Sequence, residues 1–182
     1  MAVCNLSKDI LRTSSCGYSL PTVTDIYLAN FAAIGEAEYS TTSGGCEEIT
    51  AITWAESAAA ADKKFYHIEP NRDSTTFSDE LQVGDSGNKY RTHSITFSIS
   101  GQYDACQHGV LDALSLGRYF VVVKTAEGNY LALGRNTGLE AETATLNGGS
   151  ENNGIEVTLS NNVAESAMPL ADAAVDVVLG NA

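Results

Sequence analysis

Cations are missing from two long stretches of this sequence. From Thr13 to Asp62 there are seven acids and no Lys or Arg, and from Asn136 to Ala182 there are again seven acids and neither cation. The whole chain sets ten Lys and Arg against 23 Asp and Glu, a formal charge of −13 over 182 residues. The cations fall mainly in the middle, at Lys63, Lys64, Arg72, Lys89, Arg91, Arg118, Lys124 and Arg135. Such a surface repels nucleic acid and anionic lipid rather than gripping them. Its ordinary reading is solubility; its sharper reading is a surface that lies beside DNA without sticking.

Other absences narrow the field. The four cysteines, Cys4, Cys16, Cys46 and Cys106, include no C-x-x-C pair, so free thiols in a reducing compartment are expected. No apolar run approaches the ~20 residues of a membrane-crossing helix. The first residues, "MAVCNLSKDILRTSSCGYSL", have neither a basic region nor an apolar one, and no signal peptide is expected. The protein is expected to be made in the cytoplasm. There is no G-x-x-x-x-G-K-[ST], no G-x-G-x-x-G and no H-E-x-x-H. Phosphate, dinucleotide and zinc-protease chemistry are therefore unsupported, and no cofactor is expected.

The remaining residues read as strands. "VTDIYLANFAAI" (Val23 to Ile34) is rich in β-branched and aromatic residues. "CEEITAITWAES" alternates, with Ile49 and Trp54 on buried surfaces, and "KFYHIEP" is closed by Pro70. "HSITFSISG" places Ile95, Phe97 and Ile99 on one face, and "IEVTLSN" does the same with Ile155, Val157 and Leu159. "GRYFVVVKTAEGNYLALG" (Gly117 to Gly134) is a hairpin with Gly128 in a left-handed turn position. Its first strand is apolar on both faces and carries no chemistry. "AAVDVVL" near the end is expected to be a last strand, Ala174 to Leu179.

One helix is expected over residues 102–116, with Tyr103, Cys106, Val110, Leu111 and Leu114 on one side and Gly117 as its stop. Helices are few and βαβ alternation is absent. The expected fold is mainly β: an antiparallel sandwich or barrel with one flanking helix. Residues 1–22 are expected as an N-terminal arm, 23–168 as the β domain with a long polar loop or extended hairpin at 71–92 (turn at 84–88), and 169–182 as a C-terminal strand or arm.

Candidate chemistry is thin. Asp104, Cys106 and His108 cluster in sequence, but neighbours two apart on a helix diverge, which leaves an Asp104–His108 surface pair. His67 and His93 sit on strands and read as structural. "GDSG" at 84–87 has the four residues of a serine-protease loop without the rest of its signature. The acid pairs Glu47–Glu48 and Glu140/Glu142 do not face each other across a cleft as general acid/base work requires. Glu140 and Glu142 share one strand face, turned to solvent or a lumen.

A longer pattern carries a resemblance. It runs from "YRTHSITFSISG" through "ACQHGVLDALSLGRYFVVVKTAEGNYLALGRNTGLEA" to "NGIEVTLSNNVAESAMPL", spanning roughly Tyr90 to Leu170. This succession resembles the tail tube (major tail) proteins of tailed phages and prophages of Bacteroides-type bacteria. The resemblance implies a non-enzymatic virion protein forming hexameric rings that stack into a tube through which genomic DNA passes unbound. Its partners would be copies of itself and other tail proteins, with no membrane. By the same resemblance, Arg72, Asp73, Phe77, Asp85 and Lys89 would serve the inter-ring loop. Glu47, Glu140 and Glu142 would line the lumen. The apolar hairpin would bury one face in its own core and the other against the helix or a neighbouring subunit. Other virion parts, such as a tail terminator, a capsid-decoration protein or a contractile injection tube, share such a fold. A monomeric β-sandwich binding module, for carbohydrate for instance, is the competitor from a different class. A hydrolase using residues 84–108 is the remaining one.

Overall fold

The computed structural model describes residues 23–42, 46–71, 74–100, 105–148 and 153–180. Eleven strands and two α-helices are arranged there: β1 (Val23–Asn30), β2 (Ile34–Thr42), β3 (Cys46–Trp54), β4 (Tyr66–Ile68), β5 (Thr76–Val83), β6 (Lys89–Ser100), α1 (Ala105–Leu116), β7 (Arg118–Thr125), β8 (Tyr130–Leu133), β9 (Leu139–Gly148), β10 (Asn153–Val163), β11 (Met168–Pro169) and α2 (Asp172–Leu179). All paired strands are antiparallel, and β2–β3 forms a separate two-stranded sheet.

The large sheet runs β5-β6-β10-β9-β7-β1-β4, with β8 beside β9 on the same edge of β7 and β11 beyond β8. It curls. Ile68 pairs with Ile26 of β1, while Asn71, three residues later, donates from its backbone to Ser98 O at 2.8 Å on β6. Three residues reach at most ~11 Å, so the two ends of the sheet lie close together. The β1–β4 and β5–β6 ladders are joined there by the chain and not by a further ladder, so the sheet wraps into a sandwich without closing into a barrel.

The first core fills the inside of that curl. Ile26 and Leu28, Ile95 and Phe97, Tyr119, Val121 and Val123, Leu139, and Ile155, Val157 and Leu159 meet there, with Leu114 of α1. The second core lies on the opposite face of β7. Phe120, Val122, Tyr27 and Ala132 pack there under Ile49 and Ile52 of β3 and Ala174 and Val178 of α2. The strand that is apolar on both faces is thus the middle layer of three. Both faces are covered within one chain, and neither is left for a neighbouring subunit. The turn that follows has Gly128 at φ +88°, as the hairpin reading required.

One expectation is corrected. Residues 172–179 form a helix, not a strand. The three valines suggest β structure, but Ala174 and Val178 stand four apart on one buried face, and Gly180 ends the run in the left-handed conformation at φ +72°. Of the two forms expected for the 71–92 segment, the extended hairpin is the one found: β5 pairs with β6 from Thr76↔Thr96 to Val83↔Lys89, leaving the turn at 84–88. The flanking helix is found at Ala105–Leu116; among its side chains described, from His108 on, Leu114 is buried and Leu111 partly so, while Val110 is exposed. Trp54 is half-buried rather than in the core, at a cleft it shares with Phe65 and Leu179.

Candidate functional site

The residues expected to serve an inter-ring loop separate in space and in kind. Arg72 and Asp73 lie outside the described residues. Phe77 is half-buried and packs against the first core, so its ring is committed inside the chain. Asp85 and Lys89 are exposed at the end of the β5–β6 hairpin. That end carries apolar groups the sequence reading did not single out: Leu81 is 56% exposed, Val83 61% and Tyr90 38%. The β6–β10 ladder stops at Arg91↔Val163, so the last two β5–β6 pairs reach past it. Gly87 N–H donates to Gly84 O at 2.8 Å and closes the tip, which makes "GDSG" a hairpin turn. Beyond β5 no ladder partner stands among the described residues.

The expected lumen acids also divide. Glu47, exposed, belongs to the small β2–β3 sheet; Glu140 and Glu142, exposed, stand on β9 of the large one. Glu140 sits directly across from Arg118, whose Nε donates to Oε1 at 2.6 Å. Its charge is therefore largely matched. Glu142 occupies a bulge in the β9–β10 ladder and accepts from Ser160 Oγ at 2.9 Å. His108 faces Asp112 one turn on, Nδ1 to Oδ2 3.2 Å, while Asp104 lies outside the described residues.

His67 stacks on Tyr27, ring centres 4.9 Å apart, and its Nε2 lies 2.8 Å from Asp25 Oδ1. Lys124 Nζ approaches the other oxygen at 3.5 Å. Burial pushes the Asp25 carboxyl up, but the hydrogen bonds from His67 and Thr24, with the Lys124 charge, outweigh it and hold the carboxyl below its ordinary value.

A polar cluster that the sequence reading missed is built around His93, which is fully buried. Its Nδ1 accepts from the Gly134 N–H at 3.1 Å. Its Nε2 lies 3.2 Å from Asp79 Oδ1, misaligned for a hydrogen bond, and has no other partner among the described residues. Asp79 also takes Arg91 Nε and, through Oδ2, the Ala167 N–H at 2.9 Å. Glu165, 8% exposed, accepts from Asn136 N–H at 2.9 Å and from Asn136 Nδ2 at 3.3 Å. A signal was present: the period-two face of Ile95, Phe97 and Ile99 extends backwards to His93 and Arg91, and the cross-strand partner of His93 is Asp79.

Among the described residues, no group of three or more His, Cys, Asp and Glu is arranged to hold a metal ion. No helix among them is long and apolar enough to cross a membrane. No protein-family model matches the chain, and no curated protein does.

Proposed function

We propose that this chain is a structural virion protein that assembles into stacked hexameric rings and forms a phage tail tube. The observation that carries the reading is the open edge at β5, whose hairpin end presents Leu81, Val83 and Tyr90 to solvent. An unpaired edge with exposed apolar side chains invites a protein partner or aggregation unless something covers it. A neighbouring copy covers it in a ring or between rings. The mainly β fold with a helix flanking the curled sheet, and the chain's charge of −13, support the same reading. DNA would then pass along an acidic wall without specific contacts. Residues from the hairpin end, including Asp85 and Lys89, would serve contacts between rings, and Glu47 and Glu142 would supply more of the wall's charge than the paired Glu140. Other tail proteins would be the remaining partners, and the virion the final location.

Negative-stain electron microscopy of the purified protein, with its mass in solution, tests this. Rings or tubes of uniform width are expected. A monomer that persists at high concentration, also in the presence of tail initiator proteins, would overturn it and favour a monomeric binding module.

A further inference from the structure

Four segments meet at His93. It stands on β6; Asp79 comes from β5, Gly134 and Asn136 from the β8–β9 turn, and Glu165 and Ala167 from the β10–β11 connection. We propose that His93 is the pin of a pH-sensitive latch. Its neutral imidazole holds the β8–β9 turn, and protonation at Nδ1 frees that turn together with the connection that carries β11 and α2. The latch is independent of the tube reading.

The geometry fixes the neutral tautomer. Gly134 N–H can only donate to a ring nitrogen without a proton, so the proton sits on Nε2, facing Asp79. A second proton would set one N–H against another at the 3.1 Å now spanned by the hydrogen bond. Flipping the ring offers no escape, because it turns a carbon toward Gly134. Water offers none either, because the side chain is fully buried.

The surrounding charges do not remove the conflict. Asp79 and Glu165 favour the imidazolium and Arg91 opposes it; the in-register neighbour on β10, Asn161, is uncharged. Both carboxylates are already engaged, Asp79 by Arg91 and Ala167, and Glu165 by Asn136. Burial acts first and downward, and the balance leaves the imidazole below its ordinary 6.5. An opened or unfolded chain binds the proton at about 6.5. Latch stability is therefore present above that value, and is lost as pH falls below it toward the folded-state value.

The release has a path. Asn136 is tied to Glu165, and Arg135 Nη1 lies 3.3 Å from Met168 Sδ. Met168 and Pro169 pair with β8, and Ala171 N–H donates to Ile49 O at 2.9 Å just before α2. Freeing residues 134–138 loosens the start of the cover over Phe120 and Val122.

Two measurements on the full chain decide it. Long-range proton–nitrogen NMR spectra should find His93 as the Nε2–H tautomer and titrating below 6.5. Amide exchange at about pH 5.5, corrected for intrinsic rates and compared with about pH 7.5, should show protection falling at Gly134, Asn136, Ala167 and Leu170. The fall should approach, and cannot exceed, about tenfold, because pH 5.5 lies one unit below the 6.5 of the opened chain. Val121, Val122 and Val123 should keep theirs. His93→Asn retains an acceptor for the Gly134 N–H and cannot be charged, so it should abolish the pH effect. An Nδ1–H tautomer, titration at or above 6.5, equal protection at both pH values, or persistence of the effect in His93→Asn would each overturn the latch. The native-chain readings decide the matter even if the variant does not fold.

Discussion

Phe120 and Leu116 stand four residues apart and have opposite environments. Phe120 is fully buried at the centre of the second core, while Leu116, at the end of α1, is 88% exposed. Both look equally hydrophobic in sequence. Phe120→Ala removes a fully buried ring from the core that β3 and α2 share with the large sheet, and should cost about 3–5 kcal/mol. Leu116→Ala should change stability by less than about 0.5 kcal/mol. Urea unfolding followed by circular dichroism measures both. A costly Leu116→Ala or a mild Phe120→Ala would mean that the layering is wrong. The same contrast explains His93: its neighbours along the chain are polar and ordinary, and only its place on the inward face makes it different.

At the scale of elements, the strands were legible because period-two patterns survive in them. Ile95, Phe97 and Ile99 and the set Ile155, Val157 and Leu159 point inward as their alternation requires, although Ile99 is only partly buried. The doubly apolar character of β7 was legible as two faces to be buried, but not what covered the second. That cover is made by α2 and the β2–β3 hairpin, distant in sequence, and no local pattern announces such contacts. The helix α2 was misread because valine favours strands by its local preference, whereas here burial against β3 decides. The polar cluster was hidden for the same reason: Asp79, His93, Gly134 and Glu165 converge from four places. If α2 is the lid of the second core, Val178→Asp should uncover it. The carboxylate would be buried in the core that Val178 shares with Ile52, Phe120 and Val122, with Lys63 and Lys64 only in the adjoining cleft, so the loss should be about 3 kcal/mol. Rising fluorescence of a hydrophobic dye, with the far-ultraviolet spectrum retained, would report an open lid on an intact sheet. Unchanged stability would mean that the helix is not held there.

For the whole molecule, two forces oppose each other in any assembly. Each copy brings a formal charge of −13, so bringing copies together is unfavourable at low salt. The exposed Leu81, Val83 and Tyr90 at one sheet edge favour contact, and burial of apolar area is not screened by ions. The screening length falls from about 10 Å at 0.1 M salt to about 3 Å at 1 M. Repulsion should therefore fade while the apolar contact persists, and rings or tubes should become more abundant as sodium chloride rises. Leu81→Ser with Val83→Ser should prevent assembly at every salt concentration. It should leave the monomer's stability within about 0.5 kcal/mol, because neither side chain is buried in a single copy. Sedimentation across a salt series measures the first effect and thermal unfolding the second. Assembly that weakens with salt would instead assign the contact to ion pairs between copies, and the double variant would then leave it intact.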